Sequence, residues 1–146
     1  MRIQIKTEVR SDWKKVESLF NEDLFLKLNP PFPKVRLNRF DGCQKGDIVE
    51  MELNFILWKD RWRSDITSNS SNEDGFDFVD EGTKLPFPFK YWRHHHKVEK
   101  SENGSLIIDD ISYKSLNSVL SLVLYPLLYL QFLYRKPVYK KTFSEV

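Results

Sequence analysis

Between Val119 and Tyr134 the chain runs through sixteen residues interrupted only by Ser121, Pro126 and Gln131; all the others are apolar or aromatic. Such a segment must be covered, and what covers it decides the fold. A membrane-spanning helix needs about 20 predominantly apolar residues. This run is shorter and broken, so although Arg135, Lys136, Lys140 and Lys141 follow it as they would a membrane anchor, no transmembrane segment is expected. A buried helix is. Leu116, Leu120, Val123, Leu127, Leu130 and Tyr134 form a stripe at spacings of 4, 3, 4, 3 and 4, while Leu122, Leu124, Leu128, Tyr129, Phe132 and Leu133 fall outside it. A helix apolar on all sides must be covered on all sides. Pro126 cannot donate to the Leu122 carbonyl and disfavours helical geometry at Tyr125. A break is therefore expected there, with a short segment before it and the main helix after it, and Pro137 should kink or end the regular part.

The cover is supplied upstream. Ile3 and Ile5 alternate with Arg2, Gln4 and Lys6 over Met1 to Arg10, the period of a half-buried strand. Ser11 or Asp12 caps a short helix carrying Trp13, Val16, Leu19 and Phe20, and a second helical piece, Glu22 to Leu28, stops at the proline-rich Asn29–Pro33. Six strands follow in succession. The first begins at Lys34 and closes at Asp41–Gly42. The second, Asp47 to Leu57, puts Val49, Met51, Leu53, Phe55 and Leu57 on one face. The third, Trp58 to Ser68, carries Trp62, Ser64 and Ile66 and closes in a polar turn, Asn69–Gly75. The fourth, Phe76 to Gly82, aligns Phe76, Phe78 and Asp80, and Lys84–Phe89 is a rigid aromatic loop. Phe89 to Lys100 and Ser105 to Tyr113 complete the set around a Glu102-Asn103-Gly104 hairpin turn. Consecutive hairpins imply an antiparallel sheet with one covered face.

At 146 residues the chain fits one domain, 1–146, without internal repeats or a low-complexity linker. The formal net charge is +2 with both signs interspersed, so nucleic acid is not an expected partner. Cys43 stands alone and cannot form an internal disulfide, and the first residues lack the apolar stretch of a signal peptide. A soluble, cytoplasmic protein is the expectation.

The element order, together with particular residues, resembles the START-like ligand-binding superfamily, also called SRPBCC. Those residues are Phe78-Val-Asp-Glu81 leading through Pro86 and Phe87 into Tyr91-Trp-Arg-His-His-His96, then Gly104-Ser105, Asp109, Ile111 and Tyr113, and finally Gln131-Phe-Leu-Tyr-Arg135, similar to an aromatic-Tyr-Arg signature in the last helix. The likeness spans the whole chain and is nearest to a bacterial branch whose members stand alone or are fused to epimerase-like proteins labelled cell-division inhibitors. Pro126 and Pro137 depart from that pattern. The resemblance implies a helix-grip fold and an apolar molecule held between sheet and helix; some families of the fold act as cyclases or aromatases, and others only carry or sense.

The residues themselves point to a polar site within this apolar setting. His94 and His96 share one face of a strand and His95 takes the other. Arg93 and Lys97 must face water, so Trp92, His94, His96 and Val98 face inward, opposite Ile107, Asp109, Ile111 and Tyr113 on the next strand. Two imidazoles and a carboxylate in one enclosure could orient a polar ligand group, act as acid and base, bind a metal, or simply satisfy one another as an internal network. Asp80 is a further inward candidate, although a carboxylate at a strand end is more often solvated. Trp62, Phe78, Trp92, Met51 and Phe55 would pave a cavity or fill a core. A catalytic thiol would need a base in place, so Cys43 reads as a bystander.

The expected fold is thus α+β: a curved seven-stranded antiparallel sheet, two short helices after strand 1, and a long C-terminal helix over the concave face. The expected function is binding, as carrier or sensor, of a small, largely apolar ligand. The expected ligand-binding residues are Met51, Phe55, Trp62, Phe78, Trp92, His94, His96, Asp109 and Tyr113, with no cofactor and no metal. Two alternatives stand beside it: a cyclase- or hydrolase-type enzyme using the same histidines, and an interaction module whose surplus apolar helix surface forms a homodimer seam or touches a membrane.

Overall fold

The computed structural model describes residues 1–145, which form seven strands and four helices. β1 (Arg2–Val9) buries every second residue. It is followed by α1 (Trp13–Ser18) and α2 (Glu22–Leu28), whose first turns are capped by the side chains of Asp12 and Asn21 accepting from Lys15 and Leu24 amides. Then come β2 (Lys34–Phe40), β3 (Ile48–Asn54), β4 (Lys59–Asn72), β5 (Gly75–Lys84), β6 (Phe89–Ser101) and β7 (Gly104–Ser115), and finally α3 (Ser118–Leu133) and α4 (Arg135–Thr142). One antiparallel sheet runs in the order β1-β7-β6-β5-β4-β3-β2. Each strand from β2 to β7 lies beside its sequence neighbours, and β1 pairs with β7, Ile3 opposite Ile111 and Ile5 opposite Asp109. α1 and α2 therefore carry the chain from one edge of the sheet to the other.

Several expectations are corrected. The polar segment after Ser68 is not a turn: strand pairing continues to Asn72 opposite Gly75, because alternating Ser and Asn pair as well as apolar residues do where both faces meet water. The reversal is confined to Glu73–Asp74, and Gly75, at φ 154, lies so close to β6 that a Cβ would meet the Val98 carbonyl oxygen at 2.0 Å. β3 stops at Asn54, before Phe55 and Leu57. The chain turns over Phe55–Trp58 with Ile56 at φ 76, which leaves Leu57 87% exposed rather than inward.

α3 does not break at Pro126. Pro126 and Leu122, whose carbonyl it cannot bond, are both exposed residues on the outer face, and the helix continues through them. The discontinuity comes at Tyr134, beside Leu133, whose carbonyl Pro137 cannot bond. The apolar stripe is not the face that meets the sheet, and the helix is not covered on all sides. Val123, Leu127 and Leu130 face outward, while Ser121, Leu128 and Phe132 are buried, because periodicity cannot choose between two apolar faces. Ser121, an interruption in the run, anchors it: its hydroxyl accepts from the Ser115 amide at 3.0 Å and its carbonyl accepts from the Tyr113 hydroxyl at 2.7 Å.

The interior falls into two apolar clusters. One gathers Trp13, Val16, Leu24, Phe76, Phe78, Val98, Ile107, Tyr139 and Phe143 beneath α1, α2 and α4. The other gathers Ile3, Ile5, Trp92, Ile111, Tyr113, Leu128 and Phe132 beneath α3. His94 on β6, Asp109 on β7 and Arg135 at the start of α4 each stand, in sequence, between members of the two, and form a polar band across the inner face.

Candidate functional site

The pleat of β6 sends His94 and His96 to the concave side and His95 to the convex side, where it pairs with Asp77 at 2.6 Å. The inner imidazoles stack on one another with centroids 3.5 Å apart, and His96 stacks on Phe78 at 4.2 Å. The edge of this stack is closed by Phe132, perpendicular to His94 at 5.2 Å. Polar partners hold it from two sides. His94 Nε2 lies 2.8 Å from Asp109 Oδ1, and the Arg135 guanidinium donates to the same oxygen at 3.2 Å. His96 Nε2 lies 2.7 Å from Asp80 Oδ2.

These contacts fix the charges. Burial alone would raise the Asp109 carboxyl, but the Arg135 guanidinium and the His94 hydrogen bond outweigh it and hold its pKa at about 2. Burial likewise opposes the charge on Asp80, and the His96 hydrogen bond reverses it, so Asp80 is also held below the usual carboxylate range. His94 is pushed down to about 4, first by burial and then by the neighbouring His96. At neutral pH His94 is uncharged. Since an ionised Asp109 can only accept, the His94 proton sits on Nε2, and Nδ1 presents a lone pair. That lone pair lies 3.8 Å from Asp80 Oδ2. Two acceptors face each other there, an arrangement that a donor placed between them would satisfy. Asp109 Oδ2, His96 Nδ1 and the Tyr139 hydroxyl are also buried without a hydrogen-bond partner among the described residues. Burial, with the nearby Asp109, pushes the Tyr139 hydroxyl up and keeps it protonated.

The stack closes one end of a cavity of about 670 Å³ between the sheet and α3, a size within the ordinary range for small-molecule sites. Met51, Phe55, Trp62, Phe78, Trp92, His94 and His96 line it. Asp109 and Tyr113 do not: Asp109 lies behind His94, and Tyr113 is spent on the α3 anchor. The other polar groups on the wall include Asp80, Arg135 and Gln131. In sequence Arg135 stands out only as a basic residue after the apolar run and as part of a family likeness. Its partnership with Asp109 spans 26 residues of sequence and joins α4 to β7, which no local pattern reveals. Asp80 could be placed on the inner face by alternation, but only its cross-strand partner, His94, tells that it is not at a solvated end.

Asp80, His94 and His96 offer ligand atoms within 4.8 Å of one another, so a divalent ion could be held there. The chemistry of the set is unfavourable to one, because Asp80 is engaged by His96 and the buried Arg135 cation stands beside the band. Cys43 also borders the cavity; burial pushes its thiol up to about 12, so it is protonated and unreactive.

No family model matches the sequence, and no curated protein matches it. Solved structures do match its shape. Major latex-like protein 151 from Panax ginseng superposes over 92% of this chain and 95% of its own with a TM-score of 0.59 at 15% identity. Norcoclaurine synthase from Thalictrum flavum covers 94% of this chain and 86% of its own at 0.59 and 14%. The di-domain ARO/CYC StfQ of the steffimycin biosynthetic pathway covers 98% of this chain at 0.70 and 13%, and this chain spans 50% of it. The chain has the START-like helix-grip fold.

Proposed function

We propose that this chain, acting as one domain, binds a small, largely apolar molecule between the sheet and α3, as a carrier or sensor. The observation that supports the reading is the cavity itself: a largely apolar space with a buried polar end, where two acceptors, His94 Nδ1 and Asp80 Oδ2, lie 3.8 Å apart. A hydroxyl or amine on the ligand, donating to both, fits that position. Asp109, behind His94 and held ionised by Arg135 on the cavity wall, fixes the His94 tautomer. A cytoplasmic setting agrees with a lone, reduced Cys43.

The test is native mass spectrometry of freshly purified protein, followed by uptake of an apolar fluorophore such as 1-anilinonaphthalene-8-sulfonate. A bound mass released on denaturation, or uptake abolished by filling the space with Met51→Trp, is expected. A folded protein with neither bound mass nor uptake overturns the proposal.

One specific feature favours a second reading. A neutral imidazole whose free nitrogen faces the cavity, backed by a carboxylate on its other nitrogen, is the arrangement of a general base. Two of the similar structures are named as a synthase and an ARO/CYC protein. A cyclase-type activity would collapse in His94→Asn while fluorophore uptake survived; loss of both together would point to binding alone.

A further inference from the structure

The outer face of α3 is as apolar as the inner one, and among the described residues nothing covers it. Val119, Leu122, Val123, Leu127 and Leu130 are each about 60% exposed or more. Three loops continue this surface at one end of the sheet. They present Phe32 before β2, Ile56, Leu57 and Trp58 between β3 and β4, and Phe87 between β5 and β6, with Ile56 and Leu57 above 80% exposed. Apolar surface this extensive on a soluble fold marks an interaction site. Phe32, Trp58, Phe87, Leu127 and Leu130 also border the cavity, so its mouth opens within the patch.

Charge identifies the partner. Strand pairing places the starts of β2, β4 and β6 and the ends of β3, β5 and β7 at this same end. Five exposed lysines ring it: Lys34, Lys59, Lys84, Lys90 and Lys114. The loop segments 29–33, 55–58 and 85–88 contain no charge at all, and no Asp or Glu occurs from Ile111 to Ser144. Glu52 and Asp60 stand among the lysines, and both are half-buried and engaged, with Lys59 and with the Arg61 and Phe87 amides. The opposite end turns through Asp41, Asp47, Glu73, Asp74 and Glu102. A second copy docked patch to patch about a two-fold axis would bring the two lysine rings together. An anionic surface would not.

We propose that this end of the molecule docks on the surface of an anionic lipid bilayer, with the three loops and the outer face of α3 resting in the headgroup boundary and the lysines on lipid phosphates and carboxylates. Aromatic tips beside lysines are what that boundary accepts. Contact is peripheral. Although α3 and α4 together, Ser118–Thr142, are long and apolar enough by composition to cross a membrane, Arg135, Tyr139 and the following Phe143 are bound into the interior, and spanning would tear them out. Docking would open the cavity mouth onto the bilayer, so an apolar ligand could enter without crossing water. That last step alone rests on the binding function proposed above.

The test is co-sedimentation with phosphatidylcholine vesicles with and without phosphatidylserine. Binding to the phosphatidylserine vesicles that falls as salt rises is expected, and Leu57→Asp with Leu122→Glu, or Lys34→Glu with Lys59→Glu and Lys90→Glu, should each weaken it by about tenfold or more. Far-ultraviolet circular dichroism confirms that each variant is folded. No binding by the folded wild type at low salt overturns docking, as does a dimer in light scattering that Leu57→Asp dissolves. Vesicle binding with an empty cavity in native mass spectrometry would leave docking standing and remove only the transfer step.

Discussion

The two faces of β6 carry the same residue in succession and make different chemistry from it. His94 is 3% exposed, neutral, and held between Asp109 and the ring of His96. His95, one residue on, lies on the convex face against a half-exposed Asp77 that Ser70 also engages. Nothing in the imidazole distinguishes them; the pleat does. On the inner face a charge is costly unless matched, so His94 is pushed down to about 4 and Asp109 to about 2. On the outer face water does the matching, and a pair contributes little.

The sharpest way to break this contrast is to unmatch the inner face. Arg135→Met leaves Asp109 and Asp80 as two buried carboxylates without their guanidinium, and removing one partner of a buried pair costs about 3–5 kcal/mol. Urea unfolding at pH 7 should show that loss, with Arg135→Met/Asp109→Leu recovering much of it, since an apolar replacement of the whole pair is near neutral. A single variant within about 1 kcal/mol of wild type would mean that the inner face is as wet as the outer one.

Titration tests the same point. His94 has a native pKa of about 4 against 6.5 for the free group. Below pH 6.5 the unfolded chain binds this proton and the native chain does not, so stability is complete above pH 6.5 and falls as the pH drops towards 4, by about 3 kcal/mol in all. His94→Asn should flatten that part of the stability profile; a profile that keeps its slope in the variant assigns the loss to another group. Asp109 acts lower. Its pKa is depressed from 3.8 to about 2, so its contribution, about 2 kcal/mol, is full above 3.8 and lost as the pH falls through 2. In carbon-13 spectra its carboxyl should still be ionised at pH 3.8, where an ordinary aspartate is half protonated.

Alternation made the inner face readable from sequence. Arg93 and Lys97 had to face water, which placed His94 and His96 inside, and the same argument on β7 placed Asp109 opposite them. The order of elements was equally legible, because seven strands and their turns are local signals. What failed was whatever depends on one element choosing among several equal surfaces. α3 is apolar all round, so its stripe could not say which side meets the sheet; a serine and a tyrosine hydroxyl decide that, across eight residues of chain. Arg135 reaching Asp109, Asp80 reaching His96, and the exposed turn at Ile56–Trp58 are likewise set by packing between elements and leave no period behind.

The smallest effect is the one that most directly separates the two faces. His95→Ala removes a hydrogen bond of 2.6 Å to Asp77, shorter than the 2.8 Å bond from His94 to Asp109. By distance alone it should matter more. By environment it should matter less: Asp77 keeps Ser70 as a donor and stays in contact with water, so the loss should be about 0.2–1 kcal/mol, in the range of exposed pairs. Added salt should shrink it further, because solvent ions reach this face and do not reach His94. Urea unfolding of His95→Ala in low and high salt measures both quantities. A loss comparable with that of Arg135→Met would show that the convex face of β6 is covered by something in solution, and the difference between the faces would have to be redrawn.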